Sequence, residues 1–147
     1  MENNNKKKQP LTIKDAFKVL SFIFAAVLIS ACSKNITFPV SEVVPAAEAV
    51  VKVNEDSNGN YEVELDVNNL AAPDRLSPKR RYYVVWMVTR EHGTINIGRL
   101  DINRKNNGEL KTNTPYKPIR IFITAEDDKQ PILPSTQVVL NSGEFKV

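Results

Sequence analysis

Seven or eight short segments with strand character, each bounded by turn residues, predict an all-β fold. No segment after Cys32 carries a 3.6-residue apolar period, which leaves little room for helix. The chain holds one cysteine and so has no internal disulfide to staple a small fold. Together these features predict a single immunoglobulin-like antiparallel β-sandwich of seven to eight strands, preceded by a cleaved signal peptide. Residues 33–147 are near the common domain size and long enough to bury one core unaided.

The leader comes first. Lys6, Lys7, Lys8, Lys14 and Lys18 form a basic stretch with only Glu2 and Asp15 against them, and an apolar run from Val19 to Ile29 follows. That run is far shorter than the roughly 20 residues a spanning helix needs. Basic residues, a short apolar core and small residues before a cut site mark a secretory signal peptide. An ordinary signal peptide with an incidental cysteine, or a retained signal anchor, would also fit these residues. The run closes on Leu28-Ile29-Ser30-Ala31-Cys32, which resembles the lipobox of bacterial lipoproteins. The resemblance implies diacylglycerol on the Cys32 sulfur, cleavage after Ala31 and acylation of the new amino terminus. It divides the chain into a signal peptide at 1–31, a lipidated terminus and tether at 32–45, and the sandwich at 46–147. Ser33 in place of an aspartate, by similarity to the enterobacterial sorting pattern, implies the outer membrane. Ser33-Lys34-Asn35 lacks the acidic tract of surface-exported lipoproteins, which implies the periplasmic face.

Along the tether, Pro39 and Pro45 discourage regular structure. Residues 47–54 alternate Ala49, Val51 and Val53 against Glu48, Val50 and Lys52, a first strand. Asn58-Gly59 supplies a hairpin turn. Tyr61, Val63, Leu65 and Val67 then share one face, with Glu62, Glu64 and Asp66 on the other. This alternation is the mark of a half-buried strand. Residues 70–81, with Pro73 and Pro78, form a loop. Residues 82–89 are apolar on both faces and read as a central strand. Trp86, the largest apolar side chain there, sets the face of Tyr82, Val84, Trp86 and Val88 inward. Tyr83, Val85 and Met87 are then left pointing outward, either beneath a returning loop such as 70–81 or as an interaction patch. Residues 95–103 return with a phase slip at Gly98, which predicts a β-bulge. Short strands follow near 109–112, 119–125 and 137–140, with a further one conceivable at the end.

Tyr82-Tyr83-Val84-Val85-Trp86-Met87-Val88, Ile97-Gly98-Arg99-Leu100 and Ile121-Phe122-Ile123-Thr124-Ala125-Glu126-Asp127, with Pro131 and Pro134, resemble the extracytoplasmic domain of RskA-type anti-sigma factors. The resemblance implies a sandwich. Those proteins also carry a cytoplasmic sigma-binding domain and a spanning helix, which this chain does not match, so regulation of a sigma factor does not transfer.

The chain has 20 basic and 17 acidic residues, but the leader takes five lysines and two acids with it, leaving 15 of each. A neutral mature chain offers no electrostatic case for nucleic acid. Lys79-Arg80-Arg81 beside Tyr82 and Tyr83 reads as a solvated loop entering a strand, or as a surface for lipid headgroups or polyanions. His92, the one histidine, has no local serine or acid to make a triad and no local partners for a metal. Glu62, Glu64 and Asp66 are spaced about 6.6–7 Å apart along one strand face, where water is the expected partner. Glu126-Asp127-Asp128 is a weak calcium cluster without the alternating ligands of an EF-hand loop.

No catalytic residue, cofactor or metal is therefore expected. The expected protein is a non-enzymatic envelope lipoprotein whose sandwich binds another protein or a carbohydrate. An accessory of an anti-sigma-like system and an enzyme with an unrecognised site are the alternatives.

Overall fold

The computed structural model describes residues 34–147; the leader, Cys32 and Ser33, and with them the expected cleavage and lipidation, lie outside the described residues. The strands are β1 (Lys34–Thr37), β2 (Glu48–Glu55), β3 (Tyr61–Asn68), β4 (Tyr82–Thr89), β5 (Gly93–Leu100), β6 (Gly108–Thr114), β7 (Arg120–Glu126) and β8 (Val138–Asn141). They form two four-stranded antiparallel sheets, in the orders β1-β2-β3-β6 and β5-β4-β7-β8. The expected sandwich is present. Its path differs from a constant immunoglobulin domain, where the chain crosses to the other sheet after the second strand. Here β2 turns straight back into β3.

That turn is built by Asp56, whose Oδ1 accepts the Asn58 and Asn60 N–H groups at 2.8 and 2.9 Å, with Gly59 at a φ of 78°. The hairpin sets Val51 opposite Leu65 and Val53 opposite Val63, so the alternation in the sequence becomes one apolar sheet face. Facing it from the second sheet are Tyr83, Val85 and Met87 of β4 and Ile121, Ile123 and Ala125 of β7, all 1% exposed or less and all in one core. Burying a valine- or leucine-sized side chain contributes about 1.5–3 kcal/mol, so this layer is the main source of stability. Leu70 and Leu76 from the 69–81 connection close one end of it.

Two expectations are corrected. The tether does not extend to residue 45, because Lys34–Thr37 pairs with β2, Ile36 opposite Val51, and Phe38 and Val44 are buried. Pro39 ends this strand rather than excluding it, and four residues are too few to display a period. The faces of β4 are also reversed: Tyr83, Val85 and Met87 point into the core and form no interaction patch. Trp86 and Val84 lie on the outer side with Phe122, yet are themselves buried, at 1% and 0% exposure. Residues 82–89 are apolar on both faces because both faces are covered. The cover on the outer side is 127–137, not 70–81.

The bulge falls where the phase slips. Val85 pairs with Gly98 and Trp86 with Asn96, leaving Ile97 as the extra residue. Gly98 has a φ of 141°, and a Cβ there would sit 3.0 Å from Leu110 Cδ1 of the facing sheet.

The two ends of the sandwich are distinguishable. Lys34 lies opposite Val53, its Nζ donates to the Lys146 carbonyl, and the Phe145 N–H donates to the Ile119 carbonyl. At this end β1, β3, β5 and β7 begin. The connections 69–81 and 101–107, and the first residues of 127–137, belong to the other end.

Candidate functional site

The outer face of the second sheet carries most of the polar structure. Trp86 Nε1 donates to Thr124 Oγ1 at 2.7 Å, Thr124 Oγ1 donates to Glu126 Oε1, and the Ser135 N–H donates to that same oxygen at 2.8 Å. Ser135 Oγ donates to the Ala125 carbonyl, and Asn96 Nδ2 donates to the Pro131 carbonyl at 3.1 Å. These bonds tie 127–137 down as a strap over Trp86 and Thr124. Glu126 is 6% exposed, and its buried oxygen is satisfied by two donors rather than by a cation. At the top of the strap Ile132 and Leu133 stand 92% and 77% exposed. The sequence signal for this apolar tip is the pair of adjacent aliphatics between Pro131 and Pro134, which prolines keep out of any strand.

Where β4 begins, the strap borders a second feature. Tyr82 is half-buried, and three cations from separate parts of the chain surround its ring. Arg81 Cζ lies 5.7 Å from the ring centroid, Arg99 Cζ 5.9 Å and Lys129 Nζ 5.9 Å. Asp101 holds Arg99 through contacts of 2.8 Å at Nε and Nη2, which pushes the guanidinium pKa up. Arg81 Nη2 donates to the Asp127 carbonyl, and Arg80 pairs with the Asp127 carboxylate at 2.5 Å. Clefts of about 400 and 640 Å³ meet here, sharing Arg99, Asp101 and Lys129. Of the sequence cluster Lys79-Arg80-Arg81, only Arg81 joins the ring; the fold adds Arg99 and Lys129 from 18 and 48 residues further on.

The remaining candidates separate. His92 packs against Tyr116 with centroids 4.1 Å apart and the ring planes tilted by 46°. Glu62 and Glu64 flank Lys111, at 3.0 and 2.5 Å, on the outer face of the first sheet. Lys111 holds the Glu64 carboxyl below the usual carboxylate range. Glu126, Asp127 and Asp128 turn to three different partners: the strap, Arg80 and the Gln130 N–H. Among the described residues no group of three or more His, Cys, Asp or Glu is placed to hold a metal. Cys32 itself lies two positions before β1 and outside the described residues. No protein-family model matches this chain, and no curated protein matches it.

Proposed function

We propose that this chain is a bacterial envelope lipoprotein, anchored through Cys32 to the outer membrane and facing the periplasm, whose sandwich is a non-catalytic binding module. The observation that carries the reading is Ile29-Ser30-Ala31-Cys32 at the end of a short apolar run behind a basic leader. Among the described residues no helix is long and apolar enough to cross a membrane, so a lipid anchor would supply the attachment. Each buried CH₂ contributes about 0.8 kcal/mol, so two or three acyl chains hold firmly where one holds marginally. Only Ser33 separates Cys32 from the first strand residue, Lys34, a reach of about 7 Å at roughly 3.3–3.6 Å per residue. The Lys34 end of the sandwich would therefore rest near the bilayer.

The test is metabolic labelling with a fatty-acid analogue. Wild type should take up the label and sediment with membranes, and Cys32→Ala should lose both. A mutant that still sediments with membranes as wild type does would sink the reading.

A further inference from the structure

We infer that the cleft around Tyr82 binds an anionic sugar unit of an acidic polysaccharide. Arg81, Arg99 and Lys129 reach one ring from the start of β4, from β5 and from the strap. Of the three, Arg99 is paired with the Asp101 carboxylate, Arg81 donates only to a backbone carbonyl, and Lys129 is exposed. An aromatic ring attracts cations through its two faces, and exposed pairs of this kind are weak. Gathering three like charges there leaves a positive excess that a bound anion neutralises. The half-buried Tyr82 lines the cleft together with Arg81, Arg99 and Lys129, so a sugar unit bound there would meet ring and cations at once. Lys129 stands beside the ring for a carboxylate or sulfate, with Arg99, whose Nε and Nη2 Asp101 already holds, adding its charge, and Gln130 and Asp101 line the adjoining cleft within reach of hydroxyl groups.

Position decides between a polysaccharide and a lipid headgroup. Tyr82 begins β4 at the end of the sandwich opposite Lys34. With the anchor at Cys32, the cleft faces away from the bilayer that holds the protein and towards soluble polymers of the envelope. This orientation rests on the proposed lipidation; the site does not.

The experiment uses the intact protein purified in detergent, with polygalacturonate as the probe and calorimetry as the readout. Neutral dextran, polyglutamate and phosphatidylglycerol vesicles serve as comparisons. Polygalacturonate should bind, more weakly as salt rises, and dextran should not. Lys129→Glu, on an exposed strap residue, should weaken binding at least tenfold with the melting temperature unchanged. Tyr82→Leu should do the same; if it fails to fold, Lys129→Glu alone decides. No binding of polygalacturonate, or equal binding by Lys129→Glu, overturns the inference. Tighter binding of polyglutamate would make this a site for acidic peptides, and tighter binding of the vesicles would make it a lipid site; either result overturns it as well. Cys32→Ala should bind polygalacturonate as wild type does, so a failure of anchoring is read separately from a failure of this site.

Discussion

Trp86 and Met87 are neighbours on β4 and face opposite layers, so substitutions at the two report different things. Met87 is fully buried in the main core. Met87→Ala should cost about 2–5 kcal/mol, and Met87→Glu should prevent stable folding because the carboxylate has no partner there. Trp86→Ala should cost about 3–5 kcal/mol through the outer cluster and also free the strap. Limited proteolysis separates the two: Trp86→Ala should be cut within 127–137 under conditions that leave Met87→Ala intact there. Tyr83 carries the pH dependence at this scale. Its hydroxyl donates to the Ala71 carbonyl at 2.7 Å, and burial, with the Asp74 charge adding to it, pushes its pKa well above the usual tyrosine range. A raised folded-state pKa gives stability that is complete below the unfolded value of about 10 and is lost as pH rises beyond it. Tyr83→Phe should therefore cost about 1 kcal/mol at neutral pH, through the lost hydrogen bond. That gap should shrink above about pH 10 in denaturant titrations, and a gap that widened there would contradict the burial of Tyr83.

The strap and β1 are the elements that most changed the reading. Glu126→Ala removes the acceptor shared by Thr124 and Ser135, leaving buried donors unpaired at about 1–3 kcal/mol. Hydrogen exchange should then rise in 127–137 and at the Trp86 side chain while β2 and β3 stay protected; uniform loosening of the whole domain would count against a strap. The hairpin of β2 and β3 was legible from the period of its residues, because one face of each strand is buried and the other is not, and the bulge was legible from the slip between Ile97 and Leu100 at Gly98. The orientation of β4 was not legible, since with Val84 and Trp86 as deeply buried as Val85 and Met87 the pattern contains no contrast. Residue size pointed the wrong way. The better cue was its partner strand, where Thr124 and Glu126 share a face with Phe122 and mark that side as the one needing polar company. Of the Tyr82 cleft, the sequence displayed Arg81 and Tyr82 alone; Arg99 and Lys129 arrive only through the pairing of β4 with β5 and the return of the strap. Lys34–Thr37 stayed hidden because a four-residue edge strand takes its order from backbone bonds to β2 rather than from its own apolar pattern.

At the scale of the whole molecule, one core joins both sheets and no disulfide is required. Far-UV circular dichroism should be β-dominated, and unfolding should be cooperative and insensitive to reducing agent. A strongly helical spectrum would contradict the sandwich. The described sandwich begins two residues after Cys32, so lipidation there, as proposed, would hold its Lys34 end near the bilayer and leave the Tyr82 end free. That arrangement depends on the chemistry at Cys32, and intact mass spectrometry of protein extracted from membranes tests it most directly. A chain beginning at Cys32 and carrying the added mass of a diacylglycerol thioether with its N-acyl group is the predicted result. A mass corresponding to an unmodified Cys32, or to a chain that retains residues 1–31, would contradict it.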